Sequence, residues 1–85
     1  MVITVSPRFK KQYKKLPKKI KGKAKAKEKI FRAYPFDSRL KTHKLHGEER
    51  EHWAFWLDNS YRIKFIFMKK GEVLFLDVGT HRIYG

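Results

Sequence analysis

The chain has 85 residues, with 22 lysines and arginines, 8 acidic residues and no cysteine. This length predicts a single domain over residues 1–85, because half the chain would bury too little apolar surface to fold alone. The lack of cysteine excludes a disulfide framework, a thiolate zinc site and cysteine catalysis. A hydrophobic content of 41% with 15% aromatic residues is too high for a disordered tail. The net charge of +14 predicts a polyanionic partner.

No segment has the sequence of a membrane span or a secretion signal. The longest apolar run falls well short of the roughly 20 residues that cross a bilayer. The first five residues run directly into a polar segment without a charged n-region or a small-residue cleavage site. We therefore expect a soluble cytoplasmic protein.

The positive charge is concentrated in the first third of the chain. Residues 1–29 contain 12 lysines and arginines and one acid, a net charge of +11. Residues 30–85 contain 10 basic and seven acidic residues, a net charge of +3, together with 11 of the 13 aromatic residues. This division predicts an electrostatic surface in the first part and most of the core in the second.

The chain is predicted to begin with a strand followed by a short helix. Val2–Val5 is β-branched throughout, which favours a strand. Ser6 is a typical N-cap, and Pro7 suits the first helical position, where its missing N–H is not needed. The apolar stripe of this helix consists of Phe9, Tyr13 and Leu16, at the spacing i, i+4, i+7.

A second helix is predicted from Pro17 to about Tyr34. Pro17 closes the first helix and opens the second, and Pro35 ends it. The two helices form a hairpin whose outer surface is covered by lysines. The apolar stripe of the second helix consists of Ile20, Ala24, Ile30, Phe31 and Tyr34.

The second half of the chain is predicted to form an antiparallel meander. Residues 35–51 are a polar loop with Gly47 as its tight turn, and after it apolar residues alternate with period two. The Val2–Val5 strand can join this sheet, and the helical hairpin would cover one face, giving a two-layer α+β fold with a small antiparallel sheet. The strands fall at residues 52–58, 61–68 and 72–78, with turns at 58–60 and 69–71.

The histidines are candidates for acid–base chemistry and poor candidates for a metal site. Metal binding favours two histidines on one helical face or cysteine partners, and the sequence has neither. A histidine pKa near neutrality suits general acid or base catalysis, although an ordinary surface side chain is the simpler interpretation of each one alone. The four histidines are His43, His46, His52 and His81.

Arg62 has two interpretations. A cation held on a rigid strand next to a basic surface is suited to stabilise the charge of a pentacovalent phosphorane. The alternative is a structural ion pair with Asp58 or Asp77 on the face of the sheet away from the core. The nearby aromatic residues could stack on bases or pack in the core. Trp53 and Phe55 are expected in the core, whereas Trp56 points to the other face and could have either role.

Three segments in order resemble motifs of one family. Residues 43–47 (HKLHG) are similar to a "kLxG" loop, residues 59–63 (NSYRI) to a "gYRi" strand, and residues 74–81 (LFLDVGTH) to a "vlfldiGtH" ending. With the strand and the basic helical hairpin before them, these segments make the whole chain resemble the RelE/ParE superfamily of toxins from type II toxin–antitoxin modules, in its RelE/YafQ-like mRNA interferase branch.

The resemblance implies a ribosome-dependent mRNA endonuclease that inhibits translation and needs no metal or other cofactor. In such enzymes a 2′-hydroxyl of the message attacks its own adjacent phosphate and leaves a cyclic phosphate. The implied partners are the ribosome, mRNA and an acidic antitoxin that neutralises the toxin. Two alternatives stay open: a ParE-like inhibitor of DNA gyrase, and a catalytically degenerate nucleic-acid-binding member.

The resemblance also implies roles for particular residues. Arg62 would stabilise the phosphate, His81 would act as acid or base, and Tyr84 would orient or stack a base. His43 and His46 lie in the loop where related toxins place a second acid–base group, and the identity of the general base is open. The residues expected to contact RNA or the ribosome are Lys11, Lys14, Lys15, Lys18, Lys21, Lys25, Lys44 and Arg82.

Overall fold

The fold is a layer of two helices on one face of a five-stranded sheet, which confirms the predicted α+β class. The computed structural model describes residues 1–47 and 51–84, the last of these by its backbone. Among these residues, none of the helices has the combination of length and apolar composition that a membrane span requires. The elements are β1 (Val2–Val5), α1 (Pro7–Lys14), α2 (Lys18–Ala33), a 3-10 turn (Ser38–Leu40), β2 (His43–Lys44), β3 (Trp53–Trp56), β4 (Tyr61–Phe67), β5 (Glu72–Thr80) and a second 3-10 turn (His81–Tyr84).

The sheet has the order β1-β5-β4-β3-β2 and is mixed. The meander of β3, β4 and β5 is antiparallel as predicted, but β1 joins β5 in parallel. The expectation of a purely antiparallel sheet was therefore wrong in this one respect, because α1 and α2 carry the chain back across the sheet before β3 begins. A further correction is β2, which occupies part of the predicted loop and pairs with β3.

Both helices begin where the prolines and the cap predict. The Ser6 Oγ accepts a hydrogen bond from the Phe9 N–H at 3.0 Å, and Pro7 is the first residue of α1. Pro17 precedes the first residue of α2. Tyr34, predicted in the apolar stripe, is 58% exposed and has extended backbone angles. The following proline disfavours a helical conformation at this position, so the helix ends one residue earlier.

The core lies between the helices and the sheet, and Phe31 is at its centre. Its ring is fully buried and lies 4.8 Å from the ring of Phe55, 5.0 Å from that of Phe65 and 5.5 Å from that of Phe75, measured between centroids. Edge-to-face and offset aromatic contacts of this kind add to the free energy gained by burial. The opposite face of the sheet, which we call the open face, bears Trp56, Arg62, Lys64, Asp77 and Gly79.

Side chains of the first helix take the place of a strand along part of β5. β1 pairs with β5 only as far as Phe75, and beyond it β5 has a strand partner, β4, on its other side only. The Ser6 hydroxyl donates to the Leu76 carbonyl at 2.7 Å, and the Val78 N–H donates to the Gln12 Oε1 at 2.9 Å. These contacts satisfy buried backbone groups and fix α1 against the sheet.

The turns predicted at residues 58–60 and 69–71 are confirmed, whereas the turn predicted at Gly47 continues into residues outside the described part of the chain. Gly47 and Gly71 have φ angles of +74° and +80°, a region that glycine adopts without steric cost. In the β3–β4 turn, the Asp58 carboxylate accepts hydrogen bonds from the backbone N–H groups of Ser60 and Tyr61. The strand ends differ from the prediction: β3 stops at Trp56, and β5 continues through Thr80.

Candidate active site

Arg62 lies at the start of β4 on the open face. In the sheet it is the partner of Trp56 on β3 and of Gly79 on β5. Its Nη1 donates to the carbonyls of Asp58 and Tyr61 at 2.7 and 3.2 Å, and its Nη2 donates to the Asn59 carbonyl at 3.0 Å. The guanidinium carbon lies 3.8 Å from the centroid of the Trp56 ring. These contacts hold the cation in one orientation.

No carboxylate neutralises Arg62 within the described part of the chain. The structural alternative was an ion pair with Asp58 or Asp77, but Arg62 contacts only the backbone carbonyl of Asp58, and Asp77 pairs with Lys64. A guanidinium has five N–H donors, and among the described residues Arg62 uses three of them, all to carbonyl oxygens. A buried cation bonded only to neutral groups favours an anionic ligand.

The Asp58 carboxylate supports the turn that carries the carbonyls around Arg62. Burial alone would raise the pKa of Asp58, but the N–H groups of Tyr61 and Ser60 and the Lys23 ammonium outweigh it and lower this pKa. The Lys23 Nζ lies 3.4 Å from the Asp58 Oδ2. Asp58 is therefore charged and committed to this turn, which leaves Arg62 without a carboxylate partner from it.

Lys64 and Asp77 form a second polar group on the open face. Both are buried, and the Lys64 Nζ lies 3.5 Å from the Asp77 Oδ2. The Asp77 Oδ1 accepts a hydrogen bond from the Gln12 Nε2 at 3.2 Å and lies 3.6 Å from Arg8 Nη1. Sequence reasoning did not select Lys64, because a lysine in an alternating strand is typical of an exposed face. Its position opposite Asp77 depends on the strand register.

His81 follows two residues after Gly79, which is the strand partner of Arg62. The strand pair ends with Thr80 opposite Tyr61, and His81 follows as the first residue of the 3-10 turn, which we call the His81 turn (His81–Tyr84). The His81 side chain is exposed. The turn is fixed to the open face by the Ile83 carbonyl, which accepts a hydrogen bond from the Lys64 Nζ at 3.2 Å. The Tyr84 side chain lies outside the described part of the chain, so its role stays a prediction.

His43 and His46 differ in their relation to Arg62. His43 is the partner of Ala54 in the β2–β3 pair, which puts it in the same row of the open face as Lys64. Sheet spacings give about 12 Å between the Cα atoms of His43 and Arg62. His46 is exposed in the loop after β2 and belongs to no strand. Within the described residues, no group of three or more histidine, aspartate or glutamate side chains is arranged to hold a metal ion.

The aromatic residues of β3 lie where the alternation predicts. Phe55 is fully buried and Trp53 packs at the edge of the core. Trp56, on the open face, is half-buried and has two cations over its ring: Arg62 and the Lys41 Nζ, 5.1 Å from the centroid. Trp56 therefore serves as a platform for cations in this structure.

The residues predicted to contact RNA are nearly all at the surface. One lysine, Lys21, is half-buried, with its Nζ 5.9 Å from the centroid of the Tyr13 ring. The others come from the helical hairpin, β2 and the His81 turn and are exposed. They are Lys11, Lys14, Lys15, Lys18, Lys25, Lys44 and Arg82.

Three solved structures resemble the chain over nearly its whole length. A YoeB/ParE toxin from Agrobacterium tumefaciens has a TM-score of 0.81 and 14% identity, covering 95% of this chain and 99% of its own. A chain of the E. coli DinJ–YafQ toxin–antitoxin complex has a TM-score of 0.77 and 20% identity, covering 95% and 92%. A chain of the archaeal RelE–RelB complex from Pyrococcus horikoshii OT3 has a TM-score of 0.74 and 17% identity, covering 93% and 92%.

The chain has the RelE/YafQ toxin fold. The likeness covers both the helical hairpin and the five-stranded sheet, so it includes the open face as well as the core. Comparison of the sequence with protein-family models gives no match, and comparison with curated proteins gives none either. The similarity is therefore one of backbone architecture, and the open face has to be interpreted from its own side chains.

Proposed function

We propose that this chain is the toxin of a type II toxin–antitoxin system and acts as a ribosome-dependent mRNA endonuclease. The observation that supports this proposal most directly is Arg62, a buried guanidinium on the open face of a RelE/YafQ-type fold. Among the described residues it is bonded to three carbonyl oxygens and has no carboxylate partner. A phosphate diester of bound RNA supplies the missing negative charge. The exposed His81 imidazole lies at the end of the neighbouring strand.

The reaction requires charge stabilisation and two proton transfers. The 2′-hydroxyl oxygen attacks the adjacent phosphorus, and the bond from phosphorus to the 5′-oxygen of the next nucleotide breaks. A base takes the 2′-hydroxyl proton, an acid protonates the departing 5′-oxygen, and the products carry a 2′,3′-cyclic phosphate and a 5′-hydroxyl. Arg62 stabilises the extra negative charge of the pentacovalent intermediate, since its orientation is fixed before the substrate binds.

The sheet order supports a division of the proton transfers. β5, which leads into His81, and β2, which carries His43, lie on opposite sides of β4 and Arg62. Attack and departure occur on opposite sides of phosphorus, so a base and an acid are needed on opposite sides of the phosphate. In this proposal His81 is one of the two groups and His43 the first candidate for the other, with His46 the second. Tyr84 orients the nucleobase next to the cleaved bond.

The lysine surface of the hairpin supports a large RNA partner. Its exposed lysines lie on α1 and α2, the helical layer that covers the face of the sheet opposite the open face. Contacts between lysine and phosphate raise affinity without reading sequence, and they make binding strongly dependent on salt. In the proposal this surface docks on ribosomal RNA, and cleavage depends on the ribosome because docking presents the message to the open face.

An acidic antitoxin is the second proposed partner. The similar YafQ chain is known in a toxin–antitoxin complex with DinJ. For this chain, with a net charge of +14, we propose a partner with an acidic, largely helical segment that covers the basic surface or displaces the His81 turn. Addition of such a partner, encoded beside this chain, is expected to restore translation in proportion to its concentration.

Primer extension on a message from a translating extract tests the enzymatic proposal. The purified chain is expected to produce new 5′-ends within the translated region, and an untranslated copy of the same RNA is expected to stay intact. His81→Ala and Arg62→Ala are expected to abolish the new ends. Lys69→Ala, which removes an exposed lysine from the β4–β5 turn, is the matched control and is expected to cleave as the wild type does.

The alternatives give different results in the same experiment. A gyrase inhibitor would leave the message intact and reduce DNA supercoiling by purified gyrase. A degenerate nucleic-acid-binding member would bind ribosomes but leave both the message and supercoiling unchanged. Either result contradicts the proposed endonuclease. Full cleavage by folded His81→Ala and Arg62→Ala variants would instead support the endonuclease activity but contradict the roles assigned to these two residues.

A further inference from the structure

The Lys64 ammonium is buried and contacts both β5 and the His81 turn. Its side chain is 9% exposed, and its Nζ lies 3.5 Å from the Asp77 Oδ2 on β5 and 3.2 Å from the Ile83 carbonyl in the His81 turn. A buried ammonium needs partners for its donors, and a hydrogen bond from a charged donor is stronger than a neutral one. The fixed position of this cation therefore determines where Ile83 lies.

The carboxylate side of this contact is rigid. Asp77 is 5% exposed and belongs to β5, and its Oδ1 also accepts from Gln12 and lies near Arg8, both on α1. Gln12 in turn accepts a hydrogen bond from the Val78 N–H, so the same side chain holds two consecutive residues of β5. The Lys64 ammonium is consequently held in place by groups from the sheet and from the first helix before the turn contributes.

A second contact holds the same residue of the turn. Gly79 lies on the open face opposite Arg62, and a Cβ placed on it would come within 2.9 Å of the Ile83 Cγ2. A Cβ at this distance would force a neighbouring atom to shift, so glycine at this position lets the Ile83 side chain pack directly on the backbone of β5. The turn is thus held through its carbonyl by Lys64 and through its side chain by Gly79.

The His81 turn needs such an anchor. A four-residue 3-10 helix has few internal hydrogen bonds and poor bond geometry, and it has little tendency to persist by itself. Ile83 is two residues beyond His81, so the anchor lies within about 4 Å of it along the helix axis. The orientation of the His81 side chain therefore depends on how Ile83 is held.

We propose that Lys64 is a positioning residue, which seats the His81 turn on the open face through the Ile83 carbonyl and so orients His81 toward the phosphate held by Arg62. Its effect on the reaction rests on the endonuclease function proposed above, whereas its effect on the turn does not. Lys64 itself neither transfers a proton nor contacts the reacting atoms. The contact to Ile83 is a structural feature of the free protein and can be tested without RNA.

The first experiment observes the turn directly. In ¹H–¹⁵N spectra and hydrogen exchange of the free protein, Lys64→Met is expected to shift the amides of His81–Ile83 and to lower their protection about tenfold or more, the usual value of a charge-assisted hydrogen bond. Lys64→Arg, which retains donors for both partners, is expected to restore the wild-type pattern. Lys69→Met is the control for loss of a lysine and is expected to change nothing in the turn. Unchanged turn amides in a folded Lys64→Met variant overturn the proposal.

The second experiment separates positioning from general loss of stability. If Lys64 acts through His81, Lys64→Met lowers mRNA cleavage about tenfold or more in the wild type and has no further effect in a His81→Ala background. An equal loss in both backgrounds overturns the positioning role. If Lys64→Met does not fold, Gly79→Ala disturbs Ile83 from the other side and is judged by the same two readouts. If the wild type cleaves no message, the proposed function fails, and the exchange data alone decide whether Lys64 holds the turn.

Discussion

The guanidinium of Arg62 lies over the indole of Trp56, its central carbon 3.8 Å from the ring centroid, and the two residues are direct partners in the β3–β4 strand pair. The ring covers one side of the cation, and the backbone carbonyls of the β3–β4 turn bind one of its edges. What is left free is a limited set of donors with a fixed direction. This is the arrangement that distinguishes a binding arginine from a flexible surface one.

Replacement of Arg62 by lysine tests the importance of this geometry. Arg62→Lys preserves the charge but loses the planar fork and the stacking surface, so we expect message cleavage to fall about 100-fold. The fold should survive, because lysine can still reach one of the turn carbonyls. Cleavage is measured by primer extension under single-turnover conditions. Arg39→Lys, a change in an exposed pair with Asp37, is the control, and equal losses in the two variants would reject a specific role for Arg62.

The lysine surface of the hairpin predicts a specific dependence on salt. Conversion of Lys11, Lys14, Lys15 and Lys18 to glutamine is expected to weaken ribosome binding and to flatten the plot of log affinity against log salt by about 0.7–0.9 for each lysine that contacts a phosphate. Binding is measured by sedimentation with ribosomes over a salt series. Lys69→Gln with Lys70→Gln, which removes two lysines from the β4–β5 turn, is the control at a distant site and is compared per charge removed. A slope that does not change in the hairpin variant contradicts docking through this surface.

Phe31 is expected to be the most sensitive position of the core. Its ring is fully buried against three other phenylalanines, so Phe31→Ala should cost about 3–5 kcal/mol of the free energy of unfolding. Stabilities of small domains are about 5–15 kcal/mol, so this variant should be close to unfolding. Urea denaturation followed by circular dichroism measures the loss. Phe36→Ala, at a ring that is 45% exposed, is the matched control and should cost much less.

Asp58 predicts a pH dependence of stability. Because its pKa is lower in the folded chain than in the unfolded chain, the contribution of its carboxylate is fully present above the unfolded value, and it is lost as the pH falls through the folded one. The difference in melting temperature between the wild type and Asp58→Asn should therefore be largest near neutral pH and should shrink as the solution becomes acidic. Thermal unfolding of both proteins across this range tests the sign. A difference that grows toward low pH contradicts the assigned role of the carboxylate.

The local signals in the sequence were sufficient for most elements of the fold. Ser6 and Pro7 determine the start of α1, and the two turn glycines lie at positive φ angles. Period-two alternation identified β3 and β4 and assigned Phe55 to the core and Trp56 to the other face. These features depend on neighbours along the chain, so the sequence contains the information directly. The parallel pairing of β1 with β5 has no such local signal, because the two strands are about 70 residues apart in the chain.

The residues of the candidate site also differ in whether a local signal in the sequence identifies them. The sequence singles out Arg62 and His81 by residue type and position in a motif. Only the turn geometry shows that Arg62 has no carboxylate partner among the described residues. Lys64 and Asp77 are single polar residues in alternating strands, and nothing local distinguishes them from exposed ones. Their pairing depends on the β4–β5 register and its irregularity between Lys64 and Phe65.

The charge of the chain shows the same distinction. The sequence by itself determined that +11 of the net charge of +14 lies in the first 29 residues and that a polyanion is the expected partner, because composition and order are independent of folding. Only the tertiary structure decided which cations are already neutralised. Lys64 is paired inside the protein with Asp77, whereas Arg62 is bonded to neutral carbonyls and retains its charge for a ligand. Neutralisation depends on distances of a few ångströms between residues far apart in the chain, and folding alone sets those distances.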